Sequence, residues 1–564
     1  MLLHAVLAAL ASIQLWRALQ QAWLRDIVVD DEARAVLAVA LPIASAVASL
    51  LAISLGLRSG LCRRAITTDL AGLAAAYVAL GLLARGPETR EVVGLFYAAV
   101  VVARLVPSAL LVVRGIERSS AAVFVLSLTF YAAMGLWSGA ATAAQGDQPH
   151  YLLAADALAH GSADLEPEYR DVARFTALAN APLGPADIAT HVVVPERGGR
   201  LVQGYALSAV IAPGWAIGGR AGALLVLALL GALTSVQVLR LCVETVGDEP
   251  PARVAWAIVT FLAPLATLST AIYPNVLGAL ALVLAYRWLF TAPVKRPLAA
   301  GLAGAVLLLL TPRDAVALVT LAPFVLLLGR AVALRFAVTI ALAVVAVSLV
   351  DLALYGVALP YAGYIFGVDA AQQLDARPSL RARVDIGLGG LLFDRAFGVA
   401  GSAPWVFIGL AGIGAALRRR ATLLPALAIV GTSLAALSVY RLWEGGWAPA
   451  NRYLVEVLPL WAPFVALGLR RQGRTLAWLA AVLVGLGAAA SFLFLAIPNL
   501  AFNGYDTARV ITALDRILIV DPLGLLPSFQ DPDAIGPALL RSVPLVLAAG
   551  ALVLVGLRRA RETA

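Results

Sequence analysis

FAVTIALAVVAVSLVDLALY, residues 336–355, is the stretch on which the fold class turns. Wound as an α-helix, a run of this length rises about 30 Å, the thickness of a bilayer's hydrocarbon core. Arg330 and Arg335 stand just before it, and basic residues at the foot of an apolar run mark its cytoplasmic end. Outward from this run the pattern repeats along the chain. Of 564 residues, 62% are hydrophobic and 13% charged, about half the charged share of a soluble domain. The expected fold class is therefore an all-α polytopic membrane protein of about sixteen transmembrane helices.

Candidate spans are Leu2–Ala22, Val36–Leu57, Leu70–Ala84, Val92–Val113 and Ala121–Thr142, followed by the longest polar stretch, Ala143 to Gln203. Further spans are Ala221–Leu239, Val254–Thr270, Val276–Phe290, Leu298–Leu310, Ala315–Leu328, Phe336–Tyr355, Gly398–Leu417, Leu423–Tyr440, Leu454–Leu469, Leu476–Ile497 and Pro537–Gly556. Met1–Leu24 carries His4, Gln14 and Arg17 without a small-residue cleavage site, and reads as a retained first helix. Three divisions follow: 1–118, a four-helix membrane extension; 119–470, a membrane module with an external loop at 143–203; and 471–564, C-terminal helices with an external loop at 498–535.

The net charge of +9 does not point to nucleic acid, because the arginines come in twos and threes between apolar runs, as in cytoplasmic loops. Such clusters occur at Arg58/Arg63/Arg64, Lys295/Arg296, Arg330/Arg335, Arg418/Arg419/Arg420, Arg470/Arg471/Arg474 and Arg558/Arg559/Arg561. Counting spans puts all six on one side, the cytoplasm, with both termini. Gly204–Gly219, holding Pro213 and four glycines, is expected to break and return to its own side, since a crossing would invert every later loop. Arg104, midway through the fourth span, reads first as a residue packed against a buried partner and otherwise as part of a functional site. Cys62 and Cys242 are too few and too far apart for a zinc site or a disulfide framework.

The mixed polar clusters fall on the opposite side. Asp147, His150 and Tyr151 lie within five residues directly after the fifth span. A carboxylate there can take a proton from a hydroxyl, and an imidazole beside it can hold phosphate oxygens; Asp147 equally suits a helix N-cap. His191, Glu196, Arg197 and Arg200 follow, then Tyr273-Pro274-Asn275 and the Arg313-Asp314 pair. The last cluster crowds Arg441, Trp443, Glu444, Trp447, Asn451, Arg452 and Tyr453 into one loop. Aromatic residues there also suit an interfacial belt, whereas arginine's planar fork suits a lipid phosphate at headgroup depth. The chain has no GxxxxGK[ST] loop, HExxH helix or G-x-S-x-G elbow, so neither ATP nor zinc hydrolysis is indicated. A divalent cation on Asp147 and His150 has only two ligands to rest on.

In order along the chain stand GDQPHYLLAADALAHGSADL, LVQGYALSAVIAPGWAIGGR, IYPN, LTPRDA, GLLFDRAFGVAGSAPW and WEGGWAPANRYLVEVLPL. This ordered set, covering roughly Ala121 to Leu469, resembles the bacterial membrane glycosyltransferases of the C-type superfamily (GT-C). The resemblance implies transfer of a sugar from a polyprenyl-phosphate donor to a glycan, lipid or protein acceptor on the outer face of the plasma membrane. It also implies a catalytic carboxylate in the first large external loop, which Asp147 matches. Related sequences usually carry glutamate after that aspartate, where Gln148 stands here, a departure that weighs against a metal-bridging carboxylate pair. On this basis Asp147 is the expected base. His150, Arg313 and Arg452 are expected at the donor phosphate, and Tyr151, Tyr273, Glu444, Trp447 and Tyr453 against the substrates. The rival expectations are a transporter or lipid flippase, against which the absence of paired interrupted helices weighs, and a non-enzymatic scaffold of the cell envelope.

Overall fold

The computed structural model describes residues 120–184, 188, 191–193, 198–247, 250–366, 380–440, 443–470, 473–503, 509, 523–530 and 535–562. The first four expected spans with Arg104, Cys62 and the Arg58/Arg63/Arg64 cluster lie outside the described residues, as do Glu196, Arg197, Arg441, Arg471 and much of 498–535.

What is described is helical apart from two two-stranded ladders. Helix α1 is Ser120–Ala141 and α2 is Gln148–Ala159; α3, Val172–Ala179, precedes a ladder of β1 (Val192–Val193) and β2 (Arg200–Leu201). Next come α4 (Ala206–Val246), α5 (Pro250–Phe261), α6 (Asn275–Tyr286), α7 (Pro297–Leu310), α8 (Pro312–Leu326) and α9 (Arg330–Tyr355). Then follow α10 (Leu380–Phe393), a 3₁₀ leg at Pro404–Gly412, α11 (Arg420–Ser438), β3 (Ala448–Pro449), α12 (Leu458–Leu469), α13 (Arg474–Ala496), β4 (Phe502–Asn503) and α14 (Ile535–Glu562).

Six helices among the described residues are long and apolar enough to cross a membrane, and four shorter apolar helices join them. Their outer surface settles the solvent. Leu342 and Leu349 on α9 are 65% and 59% exposed, and Leu540 and Leu547 on α14 are 74% and 68% exposed, a surface that only lipid tolerates. The chain is thus an all-α, membrane-embedded protein. Helices α6, α7 and α8, of 12, 14 and 15 residues, rise about 18 to 23 Å each, short of a full hydrocarbon core.

At one end of the bundle, Arg419 donates to the carbonyl of Thr245, Arg240 donates to Ser120 Oγ at 3.2 Å, and Gly414 abuts the Gly556 carbonyl. This end collects Arg418–Arg420, Arg470 and Arg558–Arg561. At the other end, Arg220 donates to Gly139 and Thr142 where α1 stops, and Tyr355 donates to the Leu201 carbonyl at 2.6 Å. Among the described residues the basic clusters and the mixed polar clusters therefore lie at opposite ends of the bundle.

Gly204–Gly219 behaves as expected in its course but not in its break. Helix α4 continues through Pro213 and departs from helical geometry at Gly218 and Gly219, where φ is 55° at Gly219. A Cβ on Gly214 would lie 2.5 Å from the Gly222 carbonyl oxygen, so the two halves fold back with their backbones in contact. Both ends of the first half stay at the polar end, Tyr205 on the Ala163 carbonyl and Arg220 on the end of α1.

Two segments depart from the sequence reading. Val254–Thr270 divides into α5 and a single turn, Leu265–Leu268. Helix α10 has no counterpart among the expected spans; a Cβ on Gly387, Gly389 or Gly390 would strike Ser438, Phe529 or Trp443. Those glycines let α10 lie against the polar end of α11 while lowering its intrinsic helix propensity.

Candidate functional site

The site begins at Gly146, whose φ of +57° and lack of a Cβ are both required. A Cβ there would stand 2.1 Å from the Trp447 carbonyl oxygen and 2.5 Å from the Tyr273 hydroxyl. Tyr273 Oη donates to the carbonyls of Gln145 (3.2 Å) and Trp447 (3.1 Å), tying the loop before α2 to the loop before α12. Gln148 turns into the protein: its Oε1 accepts from the Ile272 amide at 3.1 Å and its Nε2 donates to the Gln145 carbonyl at 3.2 Å.

Asp147 occupies the N-cap position of α2 without making a side-chain capping bond. Its carboxylate faces the cluster instead. Arg452 Nη1 donates to Oδ2 at 2.9 Å, and His191 Nε2 stands 3.5 Å from Oδ1. Burial by itself makes Asp147 a weaker acid, but Arg452 and the His191 hydrogen bond outweigh it and hold the carboxyl well below the usual carboxylate range. His191 reaches this point from a segment 44 residues away. The β1–β2 ladder, extended by the Val202 amide on the His191 carbonyl at 2.9 Å, fixes its position.

The His191 ring lies flat on that of His150, with centroids 3.5 Å apart and planes 6° from parallel. His150 is 3% exposed, packs on Phe175 at 5.6 Å and bonds Tyr169 Oη through Nδ1. Burial, aided by His191, pulls its basicity well below the ordinary histidine value and keeps the ring neutral. Asp156, one α-helical face further on, belongs to the scaffold. It accepts from Trp215 Nε1 at 2.6 Å and pairs with Arg174 at 2.7 Å, locking α2, α3 and α4 together.

Arg452 enters from a loop held by two devices. Asn451, with φ of 61°, bonds Ser402 through Nδ2, and β3 pairs with β4 in the register Ala448↔Asn503. Besides Asp147, the Arg452 guanidinium donates to Tyr453 Oη at 3.0 Å and lies 5.1 Å from the Tyr273 ring and 4.8 Å from the Tyr453 ring. Its Nε–H is buried without a hydrogen-bond partner. Arg313, the second residue of α8, sits 3.8 Å from the centroid of the Tyr453 ring and 5.7 Å from that of Tyr440. Such cation–π contacts are worth about 0.5–2 kcal/mol each.

Behind Arg313 lies a small cavity lined by Arg313, Asp314, Tyr453 and Glu456 and by leucines of α6, α7 and α11. Thr311 Oγ1 donates to Asp314 Oδ2 at 3.0 Å, and Asn275 Nδ2 donates to one oxygen of Glu456 while the other has no partner.

The structure thus brings together Asp147, His150, Tyr273, Arg313, Arg452 and Tyr453, with Tyr151 buried within electrostatic reach of Asp147, Arg452 and Arg313. Trp447, 40% exposed, stands at the rim, its Nε1 on Gln145 at 3.2 Å and its ring 5.0 Å from Arg509. Glu444 is buried in the same loop, one residue before Gly445, which rests on the Arg452 side chain. Glu456, Tyr169 and Tyr440 are not singled out by the sequence. Glu456 had a signal, an isolated carboxylate at the start of an apolar run; the tyrosines had none.

Among the described residues no three His, Cys, Asp or Glu side chains are grouped to hold a metal ion. Asp147, with a guanidinium at 2.9 Å and Gln148 turned away from it, does not fit a divalent cation. Comparison with known proteins returns no matching family model, no matching curated protein and no matching solved structure.

Proposed function

We propose that this chain is an inverting membrane glycosyltransferase of the GT-C kind, crossing the bilayer about sixteen times. It moves a sugar from a polyprenyl-phosphate donor to a glycan, lipid or protein acceptor at the outer face of a bacterial plasma membrane. The observation that carries the reading is the Asp147 carboxylate paired with Arg452, with Arg313 stacked on the neighbouring Tyr453 ring and Tyr273 beside them, assembled from four distant segments at the end of the bundle opposite the basic loops. That is the equipment an acceptor hydroxyl and a lipid phosphate need side by side.

In this reading the acceptor hydroxyl gives its proton toward Asp147 as its oxygen bonds the anomeric carbon. The bond from that carbon to the phosphate oxygen breaks, and the electron pair leaves on the polyprenyl phosphate. Arg452, through its unpartnered Nε–H, and Arg313 on the wall of the small cavity neutralise the charge that grows there. Trp447, Tyr273 and Tyr453 offer faces for the sugar, Tyr151 backs the carboxylate, and Glu444 orients the acceptor. His150, neutral and buried, acts on the phosphate only by shaping the cluster around Asp147.

The test is transfer from a panel of labelled polyprenyl-phosphate sugars in reconstituted vesicles, with Arg452→Ala and Arg313→Ala compared with wild type at equal abundance. The reading expects donor turnover or affinity to fall at least about tenfold in each. Unchanged donor kinetics in both would remove the phosphate assignment, and lipid movement without sugar transfer would mark a flippase.

A further inference from the structure

Two residues before Asp147 stands a second polar group that the transfer mechanism leaves idle. Gln145 Nε2 donates to Asn499 Oδ1, while Gln145 Oε1 accepts from Trp447 Nε1 at 3.2 Å and from Arg509 Nη1 at 3.1 Å. Arg509 Nη1 also lies 3.4 Å from Asn499 Oδ1, and the guanidinium stands 5.0 Å from the centroid of the Trp447 ring. Every partner in this group is neutral. No carboxylate among the described residues offsets the charge of Arg509, and burial alone pulls its basicity down. Its hydrogen bonds to described residues all leave from Nη1. The Nε–Nη2 edge, the one that grips a carboxylate or phosphate with two parallel bonds, makes none to them.

We propose that Arg509 and Trp447 form the acceptor subsite, Arg509 binding an oxyanion carried by the acceptor and Trp447 stacking on the sugar beside it. The acceptor is then an anionic glycan bearing phosphate or carboxylate. This rests on the glycosyl-transfer reading and names the class of its acceptor. The sugar on Trp447 is the acceptor's, and Tyr273 and Tyr453 remain with the donor's.

The two cationic groups are built on different aromatic residues and serve different anions. Arg452 and Arg313 both lie against Tyr453, whereas Arg509 lies against Trp447. Gly146 separates their anchors: Gln145 on one side holds Arg509, and Asp147 on the other holds Arg452. A glycan fixed by Arg509 thus presents its hydroxyl to Asp147 while the donor phosphate meets Arg452. An arginine that only reaches for bilayer headgroups needs no bracing, but here two amides and an indole hold the guanidinium close to the reactive carboxylate. No bond is made or broken at Arg509, and its charge does not change.

The test uses the full chain in nanodiscs of phosphatidylcholine and short oligosaccharides of glucose, mannose and galactose, each prepared as the neutral sugar, a phosphate monoester and a uronic acid. Affinities are measured for wild type, Arg509→Gln, Arg509→Lys and Trp447→Leu. The subsite expects wild type to bind the anionic forms at least about tenfold more tightly than the neutral form. That preference should vanish in Arg509→Gln and return in part in Arg509→Lys, with affinity for polyprenyl phosphate unchanged, and Trp447→Leu should weaken all three forms alike. Equal affinity, or none, for the three forms, or a preference that survives in Arg509→Gln, overturns the subsite. Phosphatidylglycerol retained by wild type and lost by Arg509→Gln, with no preference among the glycans, assigns Arg509 to bilayer headgroups and overturns it too. Arg509-dependent binding of anionic glycans without transfer from any donor counts against the transfer reading alone.

Discussion

Gly146 shows how narrowly the cluster is built. Its positive φ and its approach to Trp447 and Tyr273 leave no room for a methyl group, so Gly146→Ala should cost about 1–3 kcal/mol and displace Asp147. A lower melting temperature in detergent, together with lost transfer, is the expected result. Arg452→Ala should cost toward the lower end of about 3–5 kcal/mol, since it strands a largely buried carboxylate. The sign with pH follows from the depressed Asp147 value. The contribution of the pair is complete above the unfolded carboxylate value of about 4 and is lost as pH falls toward the lower folded value. The gap in melting temperature between wild type and Arg452→Ala should therefore stay constant from pH 8 to 5 and narrow below pH 4; a gap that widens in acid would contradict it. Asp147, Arg313, Arg452 and Tyr273 were legible in the sequence because charge and aromatics inside an apolar chain stand out. The role of His191 was not, because only the register of the β1–β2 ladder brings it across 44 residues to Asp147.

Helix α4 and α10 mark the limits of legibility among the elements. Apolar run length is a local property, so α1, α9, α13 and α14 fall where the expected spans lie. The return of the Gly204–Gly219 piece was also legible, from the parity of basic loops, but its hinge was assigned to Pro213 as well as to the glycines. The structure keeps Pro213 helical and turns at Gly218–Gly219, since only glycine takes that backbone geometry without strain. Gly222→Val should force the two halves of α4 apart, because even a Cβ there would stand 1.9 Å from the Gly214 carbonyl oxygen. A loss of about 1–3 kcal/mol is expected, read as a lower melting temperature, whereas Gly431→Ala inside α11, which meets nothing within 4 Å, should not lower it and should gain up to about 1 kcal/mol of helix preference. Helix α10 escaped the sequence reading because its charges and glycines give it neither span length nor a strong helical preference.

Across the whole molecule the separation of ends is the feature on which function depends. The basic clusters gather where α4, α11 and α14 meet, and Asp147, Arg313 and Arg452 gather at the opposite end. With positive loops cytoplasmic, Ser162→Cys should react with a membrane-impermeant maleimide on intact cells, and Arg474→Cys only after permeabilisation; the reverse pattern would invert the topology. The central claim is sugar transfer that depends on Asp147. Its most direct measurement is single-turnover transfer from polyprenyl-phosphate sugars in vesicles by wild type and by Asp147→Asn of equal abundance and melting temperature. The account predicts transfer by wild type and a loss of about 10²–10⁴-fold in the variant, and transfer undiminished in Asp147→Asn would contradict it.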